Sequence, residues 1–150
     1  MKHLMIFAAA LLMLVGTNSF AQASLNGYTA VGKWKTIDDE TKKPKSIVEI
    51  YEKDGKYYGK ILELFREPSE EQDPVCEECT DHRKDAKIIG MEIISDMKQD
   101  KNDYSSGTIL DPAKGSIYTC KFWLEDENTL KLRGYLYFLY RTQTWHRVAE

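Results

Sequence analysis

The sharpest chemical motif in this chain of 150 residues is Cys76-Glu77-Glu78-Cys79, two thiols separated by two acids. Such a pair can close a disulfide, run thiol redox chemistry or, with His82, begin a metal site. Redox use wants the first Cys at a helix N-terminus, where its pKa is depressed. Cys76 instead follows Pro74-Val75 in an acidic stretch, and neighbouring carboxylates push a thiol the other way. Zinc wants a fourth ligand, and the stretch supplies none beyond Cys76, Cys79 and His82. The expectation is a structural disulfide between Cys76 and Cys79, with no metal and no cofactor. Cys120, placed between Tyr118 and Phe122 on an apolar strand face, is expected to be a buried free thiol.

Nucleophilic catalysis would need a Ser or Cys with a His and an orienting acid. Beyond the N-terminal leader the chain offers only His82 and His146, with no Gly-Xaa-Ser-Xaa-Gly elbow and no phosphate-cradling Gly loop. The acids Asp38-Asp39-Glu40 read as a solvated turn, since adjacent side chains on an extended chain point apart. No catalytic residue is assigned. Aromatic and guanidinium groups are the richer resource. Tyr58, Tyr118, Tyr135 and Trp145, with Arg133 and Arg141, are the candidates for lining a ligand cup and meeting a polar head. Arg141, Gln143, Trp145 and Arg147 share one strand face.

The elements that must position these residues are strands. Short runs rich in Val, Ile, Tyr, Phe and Trp recur between turn signals, and helical periodicity is poor. Eight strands are expected, near 32–37, 46–52, 56–64, 87–95, 104–110, 116–124, 129–135 and 140–148. Lys53-Asp54-Gly55 is a hairpin tip suited to positive φ, and Asp111-Pro112-Ala113-Lys114-Gly115 sets another reversal. Residues 67–86, with Pro68, Pro74 and many acids, read as a long irregular loop. Eight consecutive strands can avoid exposed edges by closing into an antiparallel up-and-down β-barrel, with a β-sandwich as the alternative.

Residues 1–23 combine Lys2 and His3, an apolar run from Leu4 to Val15 and Ala21-Gln22-Ala23, the pattern of a secretory signal peptide cleaved after Ala23. The expectation is a periplasmic or secreted protein in which residues 24–150 form one soluble domain. No later apolar stretch approaches the ~20 residues that span a bilayer as a helix. The formal net charge is −3, with both signs interspersed, which argues against a nucleic-acid partner.

Several phrases together, namely Gly32-Lys33-Trp34 with Asp38-Asp39, Tyr58-Gly59-Lys60-Ile61, Cys76 with Cys79, Ile109-Leu110-Asp111-Pro112, Arg133-Gly134-Tyr135 and Arg141-Thr142-Gln143-Thr144-Trp145, resemble the bacterial secreted family called domain of unknown function 2147. The resemblance implies a small lipocalin-like β-barrel and carries no activity. It departs at Leu136–Tyr140, where the family pattern places a Gly near the last turn. A second, shorter resemblance is to the lipocalins themselves, whose first strand begins Gly-Xaa-Trp and whose Trp packs under the barrel against an Arg near the end of the chain. That likeness implies a structural floor made by Gly32, Trp34 and either Arg141 or Arg147.

The function these readings favour is binding of a small apolar or amphipathic ligand inside the barrel. Two alternatives stand beside it: an enzyme, either a thiol oxidoreductase using Cys76 and Cys79 or a hydrolase using Asp38 or Asp111, and a cell-envelope interaction module presenting the 67–86 loop. No oligomeric state is assigned.

Overall fold

The computed structural model describes residues 27–149, so the expected signal peptide lies outside the described residues. Eight antiparallel strands follow in chain order: β1 (Gly32–Ile37), β2 (Pro44–Lys53), β3 (Lys56–Leu64), β4 (Glu92–Asp100), β5 (Asp103–Asp111), β6 (Ser116–Asp126), β7 (Thr129–Leu136) and β8 (Leu139–Arg147). Each pairs with the next, and β8 returns to β1 through Trp34↔Arg147, Lys35↔His146 and Thr36↔Trp145. The sheet is therefore a closed barrel rather than a sandwich. Closure leaves no unpaired edge. Among the described residues no helix is long and apolar enough to cross a membrane.

Alternation decides what faces inward. Trp34 and Thr36 of β1, Ser46, Val48 and Ile50 of β2, Phe122 of β6, Leu130 and Leu132 of β7 and Trp145 of β8 are all buried and cross-paired on one face. Two positive-φ residues, Asp96 at 59° and Ser106 at 67°, accompany irregular pairing in β4 and β5 and bend the wall there. At that bend Gly107 brings the β5 backbone so near β4 that a Cβ would overlap the Ser95 carbonyl. Met97 and Cys120 meet beside it, sulfur to sulfur at 3.4 Å.

The fourth strand begins five residues later than the sequence pattern suggests. The apolar run Ile88-Ile89-Gly90 belongs to the loop, where Gly90 at φ 89° turns the chain and its N–H donates to the Ile61 carbonyl. The strand then continues through polar residues to Asp100.

One end of the barrel is packed shut. Tyr104 stacks on Phe122 with ring centroids 4.6 Å apart and meets Tyr57 edge-on at 4.8 Å. Beneath them Trp34 is fully buried and donates its indole N–H to the Ala30 carbonyl at 2.8 Å. The Arg147 guanidinium lies 4.2 Å over the Trp34 ring. It donates to the carbonyls of Glu127, Val31 and Thr29 at 2.6, 3.0 and 2.6 Å, and so ties the N-terminal segment and the β6–β7 turn to the last strand. Gly32 makes room for it, because a Cβ there would sit 2.8 Å from a guanidinium nitrogen. Arg141 lies at the opposite end of β8 and has no part in this floor.

Replacing Arg147 by Met keeps the stem over Trp34 and removes the donors. We expect a stability loss of about 2 kcal/mol in urea with an unchanged m-value, the scale of charged hydrogen bonds; a loss below ~0.5 kcal/mol would assign the floor to packing alone. Burial pushes the Cys120 thiol up to about 12 from its usual 9.0. It should be inert to thiol reagents at pH 8 in the folded protein and react only on unfolding. Above about pH 9 the unfolded chain gives up this proton and the folded chain holds it, so stability should fall as pH rises, and less steeply in Cys120→Ala.

Candidate functional site

The other end of the barrel is open. A cavity of about 1120 Å³ runs from the barrel interior to this mouth. Its inner wall is apolar, built by Ile61 of β3, Ile93 of β4, Ile109 of β5, Leu132 of β7 and Trp145 of β8. Deeper space is filled by Met97, Cys120, Phe122 and Trp34, none of which lines it.

The mouth is made by four segments: the adjoining ends of β1 and β2, the long connection between β3 and β4, the β5–β6 turn and the β7–β8 hairpin. The long connection is tied down at three places. Cys76 and Cys79 form a disulfide with both residues buried, and the Cys76 sulfur lies 3.3 Å from the Pro112 carbonyl in the β5–β6 turn. Gly115 in the same turn adopts φ 63° and packs so tightly that a Cβ would overlap the Glu78 carbonyl. Arg83 donates to both Asp81 oxygens and to the Glu92 carbonyl at 3.1 Å, which pins the loop to the start of β4. Its hydrogen bonds hold the Asp81 carboxyl down to about 2. The Cys pair thus fixes the rim at Pro112, and among the described residues no group of three or more His, Cys, Asp or Glu is placed to hold a metal.

A polar relay crosses the β1–β8 seam at the rim. Trp145 donates its indole N–H to Gln143 Oε1 at 3.2 Å, Gln143 donates to Asp39 Oδ2 at 3.2 Å, and Arg141 Nε lies 2.6 Å from the same oxygen. Thr36 and Ser46 add a hydroxyl pair 2.7 Å apart on the wall. Lys45 and Arg66 also line the cavity, and Arg66 Nε is buried with no hydrogen-bond partner.

The candidate residues divide by strand face. Tyr118, Arg141 and Trp145 line the cavity. Tyr58, Arg133 and Tyr135 lie on the outer wall and do not. Tyr58 stacks on Tyr51 at 5.8 Å and bonds Asp96; Arg133 covers the Tyr140 ring at 4.3 Å; Tyr135 meets Tyr140 at 6.2 Å. Their inward neighbours on the same strands are Tyr57, Gly59 and Gly134, so a shift of one residue separates cup from surface. Asp38 accepts hydrogen bonds from the backbone and hydroxyl of Thr41 and the backbone of Glu40, which lower its pKa and mark it as a turn residue. Asp111 likewise accepts from the Ala113 N–H.

A model of the family described as an uncharacterized protein conserved in bacteria (DUF2147) matches residues 32–147, first strand to last. The chain belongs to this family. Its fold is similar to that of protein HP1028 from the human pathogen Helicobacter pylori, described as belonging to the lipocalin family. The TM-score is 0.70 over 82% of this chain and 85% of that one, at 18% sequence identity. That degree of identity speaks for the fold. None of the curated proteins matches. For DUF2147, then, this chain sets a lipocalin-like barrel with one sealed end and one loop-framed mouth beside a family description without an activity.

Gly115→Ala should leave the barrel intact and release the loop. The amides of Cys76, Ala86 and Ile88, which hydrogen bond within or beside the loop, should exchange at least ~10-fold faster in hydrogen exchange. Gly55→Ala, at a positive-φ turn with open space around it, should show no such local effect; equal exchange in both variants would mean that the Gly115 contact does not hold the rim.

Proposed function

We propose that this protein binds a small amphipathic molecule in the barrel, apolar part inward and polar end at the rim. The observation that carries the reading is the cavity of about 1120 Å³, well above the ~300 Å³ lower limit of small-molecule sites, with Ile61, Ile93, Ile109 and Leu132 on its inner wall and charged side chains at its opening. Burying an apolar chain against Ile61, Ile93, Ile109 and Leu132 is favourable by about 25 cal/mol per Å². At the rim Arg141 is already neutralised by Asp39. Lys45 and Lys114 are lining cations that remain for an acidic head, and Arg66, whose Nη2 lies 3.8 Å from Glu70, still has a buried Nε–H free to donate there. The leader-like residues 1–23 and the disulfide support a setting outside the cytoplasm.

Gly134 offers a direct test. It lines the cavity at ordinary φ, and a Cβ there would stand 3.8 Å from Tyr118 and 4.0 Å from Ile109, so a larger side chain enters the cavity without clash. Gly134→Leu should weaken binding of a fluorescent acyl-chain probe by at least ~10-fold, about 1.4 kcal/mol, with thermal stability little changed. Tyr58→Phe and Arg133→Gln, on the outer wall, should bind as the parent does. Equal affinity in Gly134→Leu would remove the cavity as the site.

A further inference from the structure

We propose that the β7–β8 hairpin tip docks the barrel mouth onto a phospholipid bilayer. Five consecutive large apolar residues, Leu136 to Tyr140, are exposed there, with Tyr137 93% and Phe138 89% accessible. Elsewhere on the described surface exposed large apolar residues are scattered singly, which needs no explanation, whereas a contiguous cluster does. Among the described residues the side chain of neither Tyr137 nor Phe138 makes a hydrogen bond or ring contact. They occupy a two-residue turn whose first position, Tyr137, has φ 56°, a conformation that glycine takes more readily. The tip is convex, and one such turn offers too little area for the ~1,000 Å² of a stable protein interface. A bilayer accepts such a wedge, and Tyr, Phe and Leu are the side chains that settle at the headgroup boundary.

Charge fits this occupant. Arg133 stands four residues below Tyr137 on the outer wall, ~13 Å along the strand. Its guanidinium rests on the rings of Tyr140 and Trp123, at 4.3 and 5.4 Å, and donates only its Nε to Thr142. Among the described residues no carboxylate pairs with it, so its two terminal nitrogens are available to lipid phosphate while the tip enters the acyl boundary. The net charge of the chain is −3 and the 67–73 stretch across the mouth is acidic, so apolar insertion and not bulk attraction drives the contact. Leu136, Leu139 and Tyr140 also line the cavity mouth. Docking therefore presents the cavity to the membrane, though the contact itself does not require the cavity to bind anything.

The test is flotation of the chain from Ser24 onward, which holds all eight strands, with phosphatidylcholine vesicles. The parent should bind with little dependence on salt. The double variant Tyr137→Ser/Phe138→Ser should bind at least ~10-fold more weakly with an unchanged thermal midpoint, and Arg133→Gln about 3-fold more weakly. Gly134→Leu should float like the parent, which separates this proposal from that of the cavity. No binding by the parent at millimolar lipid, or equal binding by the double variant, overturns the proposal. So does a lipid-free dimer that the double variant dissolves, since the tip would then serve self-association.

Discussion

Everything in this molecule depends on how the barrel is closed at one end. Only three residue pairs join β1 to β8, as few as join β3 to β4 and fewer than join any hairpin, so the seam gains from support beyond its ladder hydrogen bonds. Arg147 supplies what the seam lacks. A single guanidinium fills the space under Trp34 and collects three carbonyls from two segments far apart in sequence. These carbonyls lie near the surface, so the side chain acts here as a clamp between the two segments as well as a cover over the Trp34 ring. With the floor shut, filling the lower barrel with Trp34, Tyr104, Phe122 and Met97 follows, and the open volume is confined to the other end.

That division explains where polarity is tolerated. The inward face of β8 reads Arg141, Gln143, Trp145, Arg147, a sequence that looks wrong for a core. Trp145 sits mid-barrel with its one donor turned to Gln143, Gln143 hands on to Asp39, and Arg141 ends the relay at the rim. Polarity thus rises along the strand from packed interior to mouth, apart from Arg147, which emerges at the floor. A strand with this gradient can face an amphipathic occupant without leaving a buried side-chain polar atom of its own unpaired.

The fold was legible because its signals are local. Period-two alternation and chemically explicit turns set seven of the eight strands within a few residues, whereas the floor was implied only by a likeness to the lipocalins. The fourth strand was displaced because Gly90 hides a turn inside an apolar run and the bulge at Asp96 breaks alternation beyond it. The site was harder to read. Weight given to bulky aromatics favoured Tyr58, Arg133 and Tyr135, yet the inward residue beside Tyr58 is Gly59 and the one beside Arg133 and Tyr135 is Gly134, so neither offers a side chain that marks the inner face. Asp39 was invisible as a site residue because its partners lie more than a hundred positions away, and only barrel closure brings them together.

The long β3–β4 connection shows why the disulfide sits where it does. A loop of this length, rich in acids and poor in apolar residues, has little burial with which to offset the entropy of ordering it. The Cys76–Cys79 link spans only three residues and so restrains few chain conformations by itself. Its larger effect is shape: it makes a compact, buried knot whose sulfur faces Pro112 and whose Glu78 carbonyl fits against Gly115. Only a glycine at positive φ permits that approach, so the knot and the turn specify each other. The rim is therefore rigid on the side of this loop and apolar on the side of the β7–β8 hairpin. An entering molecule meets a fixed, charged lip opposite a greasy one, an asymmetry that orients an amphiphile before it reaches the cavity.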